Sequence, residues 1–196
     1  MAFIIDKSKP VSPFQSTKTV PMTNKWTDLP ELPAFFDRYI LKVDDLPLSV
    51  AFEQYSPTDI MADLDKMDKL GDQVYAPGKW TIKDILQHII DTERIMSYRA
   101  LCFARNDKTE LPGFAENNYA DNTNLYHRTL EELMEEWQLL RASTRALFAG
   151  FSDDMLLRKG TASNIEIPVL ALGFMLIGHA VHHYHVIEER YFPILG

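Results

Sequence analysis

The sequence predicts an all-α protein: a four-helix bundle with a long crossover between its second and third helices. Three observations predict it. Apolar residues recur at helical spacing in four separate segments. Three of those segments open on capping signals. The links between them are short, then long, then moderate, an order that allows an up-down-down-up arrangement without fixing it.

Residues 1–34 carry Pro10, Pro13, Pro21, Pro30 and Pro33 among many Ser and Thr. They read as an extended N-terminal arm, leaving 35–196 as the bundle domain. A short helix is expected around Ala34–Leu41. The first long segment opens at Ser56-Pro57-Thr58-Asp59, with a cap Ser, a proline at the first helical position and an acid in the first turn. Ile60, Leu64, Met67 and Leu70 follow at helical spacing, and Gly71 ends the run.

The second segment starts at Thr81, which with Asp84 forms a variant of the capping box. Ile82, Ile85, Leu86, Ile89, Ile90, Ile95 and Met96 mark its apolar face, and the pattern runs to about Arg105. The link from Asn106 to Arg128 contains Pro112-Gly113 and several Asn and Asp. Its length favours a crossover or a functional loop. Thr129 with Glu132 opens the third helix, Leu133, Trp137, Leu140, Leu147 and Phe148 line it, and Gly150 ends it. A second link, Phe151 to Glu166, precedes a last helix from Pro168 to about Tyr191.

The chain has 196 residues, enough for one domain with a full core, and is 46% hydrophobic and 24% charged. Its 20 basic and 28 acidic residues give net −8. That balance argues against nucleic acid and against an anionic membrane surface as partners. Cys102 is the only cysteine, so an intramolecular disulfide is excluded and Cys102 is expected as a small buried residue. The start, Met1-Ala2-Phe3-Ile4-Ile5-Asp6, lacks the pattern of a signal peptide. The apolar run Ile167–Ile177 is too short for a bilayer and contains Pro168. The expected location is the cytoplasm.

Chemistry concentrates near the end. Four of the six histidines fall within His179-Ala180-Val181-His182-His183-Tyr184-His185. On a helix His179 and His183 are one turn apart, with Cβ atoms about 5–6 Å apart. Two imidazoles so placed can share an ion at the Zn–N distance of about 2.0–2.1 Å. The third ligand should come from another helix, and His88, flanked by core residues, is the candidate. Three neutral nitrogens leave positions for water or substrate, as in a catalytic site. Imidazole suits Zn, Ni, Fe and Cu alike.

The plainer alternative is a set of hydrogen-bonded core histidines in a helical scaffold. His182 lies about 60° around the helix from His179 and is expected to be solvated or at an interface. His127, beside the crossover, is expected to be exposed. Asp84 is read as a first-turn acid, with a bond to an imidazole as the alternative. Asp91 and Glu93 are poorly spaced to join His88 as ligands.

Several motifs together resemble a known family. They are Trp80-Thr81 followed by His88, Asp91-Thr92-Glu93-Arg94 and Tyr98-Arg99-Ala100. Leu111-Pro112-Gly113-Phe114 follows with Glu116-Asn117 and Tyr119, and then Gly178-His179 with His182-His183 and Glu189-Arg190-Tyr191. In this order they resemble the DinB-like (DinB/YfiT) superfamily over roughly residues 45–192. The resemblance implies an up-down-down-up bundle with a three-histidine divalent metal site, here His88, His179 and His183. It implies a homodimer; the expected cofactor is a divalent ion, Zn, Ni or Fe, and the expected partner a small-molecule substrate.

Some members are thiol transferases acting on low-molecular-weight thiols such as bacillithiol or mycothiol. Others resemble metal-dependent hydrolases or isomerases. The expectation is therefore a metal-dependent enzyme of the transferase or hydrolase type, with a non-catalytic metal-binding stress-response module as the alternative. No general base is visible. The loop Leu111–Tyr119 is a candidate to reach over the metal, with Asn117 or Tyr119 touching substrate, or else purely structural. Glu93 and Arg94 are expected to be structural.

Overall fold

The computed structural model describes residues 23–196. The start of the proposed arm, Met1-Ala2-Phe3-Ile4-Ile5-Asp6 included, lies outside the described residues. From Thr23 the chain turns through Trp26–Asp28 and lies on the bundle. Trp26 Nε1 donates to the Val43 carbonyl (3.1 Å) and the Leu48 amide to the Asn24 carbonyl (2.9 Å).

Short helices α1 (Asp37–Ile40), α2 (Leu48–Gln54), α3 (Pro57–Ile60) and α4 (Leu64–Leu70) come first. The long helix α5 (Ile82–Ala104) follows, then α6 (Glu116–Asp121) within the long link, and α7 (Leu130–Ala149). The chain ends through α8 (Asp153–Leu156), an antiparallel hairpin of β1 (Lys159–Ala162) and β2 (Ile165–Pro168), and α9 (Val169–Val186).

Three expectations change in detail. The segment Ser56–Leu70 is two helices: Ser56 caps the first as expected, but Met61 leaves helical geometry. The break puts the Asp63 carboxylate within reach of the Tyr184 hydroxyl (2.6 Å), a tertiary contact that spacing cannot foresee. The link Phe151–Glu166 contains a hairpin. Ser163 and Asn164 both have positive φ (55° and 61°), the requirement of a type I′ turn. Finally, the last helix, expected to run to about Tyr191, is α-helical only to Val186 (α9); its next turn, Ile187–Tyr191, is π-type, and a 3-10 turn (Phe192–Leu195) follows. The stretch Val169–Leu195 is long and apolar enough to cross a membrane by composition. Yet 72% of its most apolar window is buried in the protein, which marks a core helix.

Every residue from Val169 to Val181 is buried, so α9 is the axis around which the bundle packs. The core falls into two apolar clusters. One holds Phe52, Phe103, Phe148 and Phe174, the other Met67, Leu86, Leu133, Trp137 and Tyr191. Along α9 the first runs to Ile177 and the second begins at Ala180, so His179 sits at their junction.

Glu93 and Arg141 form a buried pair nearby. Arg141 donates from Nε to Oε1 and from Nη2 to Oε2 (both 2.9 Å), and Trp137 Nε1 donates to Oε2 (2.8 Å). The spare Arg141 Nη1 donates to the Tyr55 carbonyl (3.0 Å). With every strong donor and acceptor met, the pair holds α5 to α7. Arg94 pairs with Glu136 at the surface (2.7 Å). Both residues are thus structural, as expected.

Candidate metal centre

Helix α5 begins with the expected box. Asp84 Oδ2 accepts from the Thr81 amide (2.9 Å) and hydroxyl (2.7 Å), and Thr81 Oγ1 accepts from the Asp84 amide (3.2 Å). Asp84 is therefore a capping acid, and it fixes where α5 starts. Two turns on, His88 points inward between α5 and α9. From α9, His179 and His183 point at it.

The three Nε2 atoms converge: His88 to His179 is 3.1 Å, and His183 to His179 is 3.1 Å. Ligand atoms of all three lie within 4.8 Å of one another. Two nitrogens bound to one Zn at about 2.05 Å would stand about 3.3 Å apart at the tetrahedral angle and about 2.9 Å at a right angle. The two 3.1 Å spacings, to His88 and to His183 from His179, fall between these values.

The site is walled by aromatics. The Trp80 ring lies 4.9 Å from that of His88, and the Tyr39 ring 5.3 Å from that of His179. Gly178 explains how α1 comes so close: a Cβ there would stand 1.9 Å from the Tyr39 carbonyl oxygen. His88 and His179 are buried and His183 half-buried. Burial pushes His88 down to about 4 and His183 down to about 3. It pushes His179 well below its ordinary value, and the neighbouring imidazoles push the same way. All three are neutral at pH 7, the form a metal requires.

The other candidates lie elsewhere. His182 is half-buried, its ring 5.4 Å from Tyr39 and 5.3 Å from His183. His185 is exposed, as is His127, which packs on Tyr126. Asp91 accepts from Gln87 (2.9 Å), and Cys102 is buried. The loop expected over the metal is anchored at the other end of α5. Leu111 bridges to Ala162 of the hairpin, and the Pro112 carbonyl accepts from Arg99 (2.8 Å), three turns beyond His88. Asn117 and Tyr119 are exposed on α6. Sequence reasoning missed Tyr39, which no motif marks and which reaches the site only through the close approach at Gly178.

No curated protein sequence matches the chain. Among solved structures, YfiT from Bacillus subtilis is similar, with 16% identity and a TM-score of 0.63. The match covers 92% of this chain and 93% of that one. YfiT is described as a probable metal-dependent hydrolase with an unusual four-helix bundle topology. At this identity the likeness shows a shared fold. The family profile of the DinB superfamily matches residues 44–187, most of the chain. The chain belongs to the DinB superfamily.

Proposed function

We propose that His88, His179 and His183 bind one divalent ion, Zn, Ni or Fe, and that the protein is a metal-dependent enzyme acting on a small molecule. The observation that carries this reading is the convergence of three neutral Nε2 atoms on one point. His179 Nε2 meets two other ring nitrogens at 3.1 Å, and its one hydrogen or its one in-plane lone pair cannot lie in line with both. A cation that accepts all three lone pairs resolves the conflict. The likeness to a protein described as a metal-dependent hydrolase supports it.

Among the described residues no fourth His, Cys or carboxylate joins the cluster. Three protein ligands with open positions are the arrangement of a catalytic ion, while a structural ion is closed by four. This favours an enzyme over a non-catalytic metal-binding module. When bound, the ion would supply Lewis acidity and a water or thiol of lowered pKa. The chain's own residues hold it, keep three imidazoles neutral and wall the site with Trp80 and Tyr39. Hydrolysis and thiol transfer are the two reaction types that fit. The up-down-down-up order of the long helices belongs to the same reading. It is supported by the side-by-side pairing of Glu93 with Trp137 and Arg141, and of Ser97 with Thr144, in one direction along α5 and α7.

Elemental analysis of the wild type, His88→Ala and His183→Ala tests the proposal. One divalent ion per chain, lost in both variants, is expected. A wild type that neither retains metal without chelator nor takes it up afterwards would overturn it.

A further inference from the structure

Beside the three histidines the chain holds a strained aromatic residue. Phe35 has φ +73°, a region that a bulky side chain rarely occupies. Such strain persists only where the surroundings enforce it. Here it places the Phe35 ring under the Arg38 guanidinium, with Cζ 3.8 Å from the ring centroid. Arg38 also lies over the Tyr39 ring (4.9 Å), and its Nη2 donates to the Tyr39 hydroxyl (3.2 Å). The same Tyr39 ring packs edge-on against His179 and His182. Arg38 is thus one aromatic ring away from the candidate metal centre.

Among the described residues Arg38 has no carboxylate partner. It is exposed, and Lys42 and Arg38 both bear on His182, with Glu189 as the opposing carboxylate. Asp37 precedes Arg38 in the same turn but forms no ion pair with it, and the stack on Phe35 and the bond to Tyr39 hold the guanidinium in a fixed orientation. A guanidinium stacked on an aromatic ring loses little further freedom on pairing, and its free N–H groups match a carboxylate in geometry.

We infer that Arg38, seated on Phe35 and tied to Tyr39, recognises a carboxylate on the substrate of the three-histidine site. This rests on the metal reading above and adds the substrate class: a small molecule with its reacting group at the ion and a carboxylate beyond the Tyr39 ring. The orientation is built by Phe35 and Tyr39, so charge alone at position 38 is insufficient.

The test uses zinc-loaded full-length protein and two probes of equal length, 6-mercaptohexanoate and 6-mercaptohexanol. The thiolate suits the ion, and only the acid can reach Arg38 with a charge. Calorimetric titration should show the acid binding about tenfold tighter or more. In Arg38→Gln the acid and alcohol should bind alike, with zinc content unchanged. Arg38→Lys should keep only part of the preference. Equal binding by the wild type, no binding of either probe to zinc-loaded protein, or an unchanged preference in Arg38→Gln overturns this inference alone. Failure to take up zinc overturns the metal reading and this inference together.

Discussion

Acid should destabilise the metal-free protein well before its carboxylates are protonated, because of where the histidines sit. In the unfolded chain each titrates near its ordinary value of about 6.5. In the fold, burial holds His88 down to about 4 and His183 to about 3. Between those values the unfolded chain binds protons that the folded chain refuses. Stability is therefore fully present above about pH 6.5 and is lost as pH falls toward the folded values. At about pH 5 each histidine has removed about 2 kcal/mol, so the pair removes about 4. His179 acts in the same direction. A domain is typically stable by about 5–15 kcal/mol, so the loss is a large share. Urea unfolding with chelator present, at about pH 7.5, 6 and 5, reads it directly. With a slope of about 2 kcal/mol per molar, the midpoint should fall by about 2 M. His88→Gln should show a shallower fall, which separates the histidine effect from any general response to acid. Equal slopes for wild type and His88→Gln would refute the reasoning. Bound metal should carry the plateau to lower pH, since protons then compete with the ion.

Other substitutions probe the frame around the site. Gly178→Ala places a methyl against the Tyr39 carbonyl. It should cost about 1–3 kcal/mol by denaturant unfolding and reduce metal affinity as α1 is pushed off. Glu93→Ala leaves Arg141 buried without its carboxylate and should cost about 3–5 kcal/mol, while the double change Glu93→Leu with Arg141→Met should recover much of that loss. Thr81→Ala removes the cap of α5 and should cost about 1 kcal/mol with metal stoichiometry unchanged by elemental analysis.

What the sequence discloses and what it conceals divide along physical lines. The starts of α5 and α7 are legible because each opens with a capping box whose geometry is local, and the structure has both. Asp84 was legible for the same reason. The histidine pair on α9 follows from helical spacing, and His88 from its place among core residues. The break at Met61 was not legible, because it serves a contact between Asp63 and Tyr184 that are far apart in sequence. The hairpin was concealed because Ser163-Asn164 adopts two positive φ angles without the Asn-Gly signal. Tyr39 was concealed because its role depends on a missing Cβ at Gly178, a property of two elements and not of either alone. The loop Leu111–Tyr119 drew attention as a motif, but Leu111 pairs with the hairpin instead, and pairing partners of an isolated bridge leave no local pattern.

The position of the histidines also bears on why a bundle would carry them at all. They stand where the two apolar clusters of the core meet, close to the layer formed by Glu93, Arg141 and Trp137. Those charged and polar groups, together with the Tyr55 carbonyl, all find partners. The histidines are crowded instead: at His179 Nε2 a single hydrogen or lone pair cannot lie in line with both neighbouring ring nitrogens. A core optimised for stability alone would place an apolar residue there, and the neighbouring ion pair shows that this chain can complete a buried polar network. The crowded ring nitrogens, the half-buried His183 and the aromatic walls of Trp80 and Tyr39 fit the metal site proposed above. The predicted loss of stability is largest when the site is empty and acid is present, so the geometry from which a metal is proposed also predicts that the protein is labile without one.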